Sequence, residues 1–301
     1  MTTATDEDMT LGQSDEPLSN RLHFRESDHA YRLAHPCSGC WGEGIVPGAR
    51  PGTMKKCSGC KGEGVRWQRI PSVTTILGMI AKPALISWAA RIGAEAVRDW
   101  LAELEGSTVT VDADLIDRLY SIACNTHTEA KERAAEKGSA VHDAIHQYHE
   151  NFFEADVPQD EEAARAWHAF LDWLDGSGLE VVATEQMVVG PKARYAGRYD
   201  LLMREKRHPS LHWVVDIKTS GGVYVEHVLQ NAAYATAVRA DRGLEIAGTL
   251  VLHVPSGADK ATPVARSRSE YRGDFRLFNA ALALYESHRT VDKAIRSILA
   301  A

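Results

Sequence analysis

LHWVVDIKTS, residues 211–220, runs apolar through Trp213, Val214 and Val215, then sets Asp216 and Lys218 on either side of Ile217. Its β-branched content and polar boundaries predict a sheet strand. On a strand, residues i and i+2 share a face. Asp216 and Lys218 are therefore expected to project together, with Ile217 turned into the core. A carboxylate that emerges from so apolar a strand is costly unless it is paired or bound to a metal.

The neighbouring segments extend this reading. EVVATEQMVV (180–189) and RYAGRYDLLMRE (194–205) predict two further strands. A helix is expected at about 225–240, an apolar strand near 248–254 and a C-terminal helix at about 274–299. Towards the N-terminus the pattern is helical. Leu85, Trp88, Ala89, Ile92, Ala96 and Trp100 recur at helical spacing over 83–104. Helices are also expected over 112–136 and 139–153, separated by a break at Gly138. A fourth covers 160–175, capped by Asp160 and stopped by Gly176-Ser-Gly178. Strands followed by helices around one sheet indicate an α/β fold, a central mixed sheet flanked by helices.

The composition is that of a soluble globular chain, and no stretch approaches eighteen consecutive apolar residues. An acidic, polar start does not fit a secretory signal, so a cytoplasmic location is expected. The net charge of −7 argues at first against a nucleic-acid partner. Five acids and no lysine or arginine lie in residues 1–20, however, which read as a disordered tail. Basic clusters stand at Lys55, Lys56, Lys61, Arg66 and Arg69, and again from Lys192 to Arg207. Local clusters of this kind matter more than the total charge.

Two near-copies, Cys37-Ser-Gly-Cys40-Trp-Gly-Glu-Gly44 and Cys57-Ser-Gly-Cys60-Lys-Gly-Glu-Gly64, are separated by sixteen residues. Each places two thiolates on a tight knuckle, which suits a tetrahedral Cys₄ zinc site. The pattern resembles the zinc-binding repeats of DnaJ-type chaperones. The module (37–64) is expected within strand pieces at 21–34 and 65–70, either as a structural staple or as a direct DNA contact. Cys124 is expected to be a buried, reduced thiol.

Around the central strand, order adds to what the triplet D-x-K says alone. Gly197-Arg-Tyr-Asp200 lies one strand earlier, and Asp200 meets Asp216 if the two strands are adjacent. Gly197 permits close approach of backbone or substrate. Gln230 and Tyr234, at i and i+4, share a helical face after the strand. Gly138-Ser-Ala-Val-His142 precedes them all, with Glu185 on the strand before Asp200. This succession, with IPSVTTIL at 70–77, resembles the RecB-type branch of the PD-(D/E)XK nucleases over about residues 70–240.

The resemblance implies a restriction-endonuclease-like core in a nuclease region spanning 71–301. It implies His142, Asp200 and Asp216 as ligands of a catalytic Mg²⁺ or Mn²⁺, with the Ile217 carbonyl as a further ligand. Lys218 is then the catalytic lysine and Glu185 an additional acid. Gln230 and Tyr234 become supporting or DNA-contacting residues. Asp216 stands where the family often has glutamate. Some of these nucleases carry an iron–sulfur cluster, with one cysteine before the core and three after it. Here all four precede it, which favours zinc. The implied activity is phosphodiester hydrolysis on DNA by an exonuclease of recombination, repair or phage replication, in a bacterial cell. Its expected partners are DNA and a single-strand-binding or recombination protein. A structure-selective endonuclease of the same fold and a non-catalytic zinc-dependent DNA-binding scaffold are the alternatives.

Overall fold

The computed structural model describes residues 16–28, 30–50, 52–151 and 155–300. The elements, in order, are β1 (Leu22–Arg25), β2 (Ala30–Pro36), β3 (Ile45–Pro47), β4 (Met54–Lys56), β5 (Val65–Ile70), α1 (Val73–Leu77), α2 (Pro83–Ala102), α3 (Ala113–Glu150) and α4 (Glu161–Gly176). They continue with β6 (Leu179–Val189), β7 (Ala196–Glu205), β8 (His212–Lys218), α5 (Val225–Arg242), β9 (Ile246–His253), β10 (Thr262–Ser267) and α6 (Arg268–Leu299).

The central sheet is mixed, in the order β10-β9-β8-β7-β6. Strand β8 pairs antiparallel with β7 and parallel with β9. A parallel neighbour needs a long crossover, and α5 supplies it. Strand alternation divides the core into two layers. Leu202 and Val214 face Leu229, Ala233 and Val238 of α5, with Tyr271 and Phe278 of α6. Leu201, Met203, Val215 and Ile217 face Val141 and Ile145 of α3 and Trp167 and Phe170 of α4. The α/β class with a central mixed sheet flanked by helices is thus as expected.

A second sheet, β1-β2-β5, carries the cysteine module. Strand β2 pairs antiparallel with β5 from Tyr31↔Ile70 to Pro36↔Val65, and residues 37–64 are enclosed between those ends. A Ser72↔Ala196 bridge joins this part of the chain to β7. Ile70, Val189 and Ala196 share one small core.

Several expectations are corrected. Gly138 does not break a helix, because α3 runs unbroken from Ala113 to Glu150. A glycine costs a helix interior only about 1 kcal/mol, and this one is buried where a Cβ would fall 2.9 Å from Thr219 Oγ1. Close packing on the loop after β8, not chain termination, explains it. The expected helix end at 153 lies outside the described residues. Cys124 is exposed on α3 rather than buried, because the partly buried stripe there passes through Leu119, Ile122 and Thr126. Residues 1–15 of the expected tail lie outside the described residues. Leu18–Arg21 form a 3-10 turn, and the Ser19 N–H donates to Asp241 Oδ1 at 3.1 Å. Among the described residues no helix is long and apolar enough to cross a membrane.

Candidate metal centres

Asp200, Asp216 and Glu185 reach one place through strand register. The β7–β8 ladder ends at Leu201↔Val215, so the next positions in register are Asp200 and Asp216. On the other side of β7, Thr184↔Leu201 and Gln186↔Tyr199 flank Glu185 and Asp200. Three acids on three adjacent strands therefore stand in one row. Glu185 adopts φ +50°, a left-handed conformation that is uncommon for a non-glycine residue and characteristic of functional sites.

From the neighbouring layer α3 delivers His142. Its Nδ1 lies 3.6 Å from Asp200 Oδ2 and 3.8 Å from Glu185 Oε1. Donor atoms of His142, Glu185 and Asp200 all lie within 4.8 Å of one another. Burial would depress the imidazole pKa, but Asp200 and then Glu185 outweigh it and raise it to about 9. Beside this trio His146 Nδ1 is hydrogen-bonded to Thr184 Oγ1 at 2.5 Å, tying α3 to β6.

Asp216 sits deeper and is not a member of that trio. Only 1% of its side chain is exposed, and Lys218 Nζ lies 2.7 Å from its Oδ2 as an ion pair. Apart from this ion pair, neither Asp216 oxygen meets a further donor. Burial pushes this carboxyl well above the usual range, and Lys218 pulls it partly back. Burial would lower Lys218 in turn, but Asp216 and Asp200 overcome it and keep the ammonium charged. One imidazole and two carboxylates so disposed, from His142, Glu185 and Asp200, could hold a divalent metal ion. Of the ligands named from sequence, His142 and Asp200 are brought together, with Glu185 as the third donor. Ile217 is buried, and its N–H donates to Asp200 Oδ2 at 2.7 Å.

Gln230 and Tyr234 meet as well. Gln230 Nε2 donates to the Tyr234 hydroxyl at 3.0 Å. The Tyr234 ring is buried in the α5 layer and abuts Gly197, where a Cβ would fall 2.3 Å from Tyr234 Cε1. The Tyr234 ring therefore packs in the core while its hydroxyl accepts from Gln230, and Gly197 makes room for the ring. His227 was not anticipated from sequence. It lies on the first turn of α5, where its Nδ1 accepts the Tyr224 N–H at 3.3 Å. Burial, then the Lys218 charge, pushes it down to about 4. Its only sequence signal was its position after the Gly221-Gly222 turn that follows Lys218.

The four cysteines form a second centre with internal two-fold character. Cys37 N–H donates to Gly64 O and Cys57 N–H to Gly44 O, both at 2.8 Å. Gly44 and Gly64 N–H groups donate to Cys40 and Cys60 Sγ at 3.2 and 3.3 Å. A Cβ on Gly44 would meet Gly62 O at 2.3 Å, and one on Gly64 would meet Gly42 O at 2.2 Å, so both copies need glycine there. Sγ atoms of Cys37 and Cys57 are 3.9 Å apart, and those of Cys40 and Cys60 are 3.6 Å apart. A tetrahedron with Zn–S near 2.3 Å has edges of about 3.8 Å. Burial raises both Cys37 and Cys40, but the Gly39 N–H, the neighbouring thiols and Arg66 bring Cys37 below the usual thiol range while Cys40 stays above it, so the first proton leaves from Cys37. The donor set and its spacing fit zinc.

No protein-family model matches the chain, and no curated protein matches it. Among solved structures, one titled "Crystal structure of SSO0001" aligns over 49% of this chain and 74% of its own, at 17% identity and a TM-score of 0.24. A likeness of that degree carries no argument about fold or function.

Proposed function

We propose that this chain is a Mg²⁺- or Mn²⁺-dependent deoxyribonuclease, acting on DNA ends as an exonuclease. The observation that carries the reading is the convergence of His142, Glu185 and Asp200 beside the buried Asp216–Lys218 pair. Such a site suits phosphodiester hydrolysis, which needs charge held at one point and little covalent chemistry from the protein. The order of these residues along the chain, with its resemblance to RecB-type PD-(D/E)XK nucleases, supports the same reading and a restriction-endonuclease-like core.

In this proposal His142, Glu185, Asp200 and Asp216 hold the cation, together with the Ile217 carbonyl. When bound, the ion supplies Lewis-acid polarisation of the phosphate and a more acidic water. Lys218, kept charged by its carboxylate neighbours, orients the attacking water and offsets phosphate charge. Gln230, held by its hydrogen bond to Tyr234, serves in this proposal as a supporting residue. The four cysteines hold a structural zinc.

The test is degradation of linear DNA by purified protein with Mg²⁺ or Mn²⁺, compared with circular, single-stranded and flap substrates. The expected result is metal-dependent loss of linear DNA that disappears in Asp216→Ala and Lys218→Ala. Undiminished activity in those variants overturns the site assignment.

A further inference from the structure

The cysteine module has an outer surface that holding zinc does not require. Trp41 follows Cys40 directly and is 89% exposed, so its indole contributes nothing to the module's interior. It adopts φ +55°, as does Lys61 at the equivalent position after Cys60. Both knuckles therefore turn a side chain outward from the same rigid backbone, one aromatic and one cationic. The β3–β4 ribbon adds exposed Ile45 and Met54, with Lys56 opposite Ile45 and Lys55 opposite Val46.

Charge selects the partner. Arg50, Lys55, Lys56, Lys61, Arg66 and Arg69 are all exposed, against Glu43 and Glu63 alone within 37–69. Even after the double negative charge of a zinc tetrathiolate, this segment is positive in a chain whose net charge is −7. Among the described residues, no ion pair occupies Lys55, Lys56 or Lys61. A protein partner favours an interface core depleted of charge, whereas a polyphosphate chain needs such cations. An exposed indole stacks on a base only where that base is free of its duplex.

We propose that the zinc module is a binding surface for single-stranded nucleic acid, with Trp41 as a base-stacking platform and Lys56 and Lys61, neighbours around Gly62, along the phosphates. This goes beyond the nuclease reading and is tested separately from it, because binding requires no cleavage.

The experiment uses the full-length, zinc-loaded protein in buffer free of Mg²⁺ and Mn²⁺. Fluorescence anisotropy follows a labelled oligothymidylate, an oligouridylate and a duplex across a salt series. Trp41→Ala is expected to weaken single-strand binding about tenfold, and Trp41→Phe to restore most of it. A Lys56→Glu/Lys61→Glu variant is expected to weaken binding and flatten its salt dependence. Duplex affinity is expected to be lower and indifferent to Trp41→Ala. Whichever single strand binds more tightly identifies DNA or RNA as the source, and both support the surface. Zinc content confirms that each variant keeps its module. Unchanged single-strand affinity in either zinc-replete variant, Trp41→Ala or Lys56→Glu/Lys61→Glu, overturns the proposal, as does wild-type protein that binds no single strand. Trp41-dependent binding without nuclease activity removes only the nuclease reading. Cleavage with Trp41-independent binding removes only this one.

Discussion

The Asp200 carboxylate accepts the Ile217 backbone N–H at 2.7 Å, one residue beyond Leu201 and two beyond Val215, the last β7–β8 pair. The two strands thus stay connected by a side chain at the point where their ladder stops. The same Oδ2 faces His142 at 3.6 Å. Asp200 therefore closes the fork between two strands and also presents an oxygen to the His142–Glu185 cluster proposed to hold the cation.

Separating those jobs gives the first prediction. Asp200→Asn keeps a side-chain oxygen that can accept from Ile217, and is expected to fold at near-normal stability. On the proposed nuclease function, metal-dependent cleavage is expected to fall at least about a hundredfold. Asp200→Ala loses both jobs and is expected to unfold about 1–2 kcal/mol more easily than Asp200→Asn. Denaturant unfolding of the two variants, with nuclease assays alongside, checks this. Equal stability would show that the Ile217 contact holds nothing.

His142 gives a pH dependence of definite sign. Its folded pKa is about 9, against an ordinary 6.5. A group with a raised folded pKa stabilises below its unfolded pKa, and loses that contribution as pH rises through the folded value. In protein without Mg²⁺ or Mn²⁺, the stability advantage of wild type over His142→Asn is therefore expected to shrink between about pH 6.5 and 9. NMR titration of the ring should give a midpoint near 9, displaced downwards by added Mg²⁺. A midpoint near 6.5 would mean that Asp200 and Glu185 do not act on the ring.

How much of this was legible in the sequence depended on the kind of signal. Strand β8 was legible because VVDIK combines apolar, β-branched residues with a period-two exit of charge. Strand β10, TPVARS, gave no such signal. It is an edge strand whose residues are exposed or half-exposed, so no apolar alternation marks it. Gly138 misled because its reason is tertiary, a contact with Thr219. The meeting of His142 with Asp200 followed from motif order and not from local pattern. That Glu185 completes the trio while Asp216 stands deeper with Lys218 depends on strand register, which the sequence does not spell out.

Gly197→Ala tests the close approach to Tyr234. The added methyl would fall 2.3 Å from Tyr234 Cε1, and overpacking of this kind costs about 1–3 kcal/mol. Tyr234→Leu frees space, so the double variant is expected to be more stable than the sum of the single changes predicts. Additive losses in thermal or denaturant unfolding would mean that the contact is relieved elsewhere.

The cysteine centre predicts one zinc per chain by metal analysis, lost together with its ligands in Cys57→Ser/Cys60→Ser. Chelation is expected to open residues 37–64 to hydrogen exchange while β6–β9 stay protected, since the module is enclosed between β2 and β5 and the central sheet has its own two core layers. Iron in place of zinc, or loss of protection throughout the sheet, would contradict this division.

Lys218→Met separates the stability of the site from its chemistry. The change leaves the Asp216 carboxylate buried without its counter-ion, and breaking one side of a buried pair costs about 3 kcal/mol or more. Lys218 now holds the Asp216 pKa down against burial, so its loss raises that pKa further. The stability of a group with a raised folded pKa is retained at low pH and lost as pH climbs through it. The deficit of Lys218→Met against wild type is therefore expected to be small near pH 5 and to grow towards pH 8. Asp216→Asn/Lys218→Met removes both charges and is expected to recover most of that stability while remaining inactive. Unfolding midpoints of the three proteins across pH check the sequence of effects, and a deficit independent of pH would mean that Lys218 acts through packing rather than through its charge.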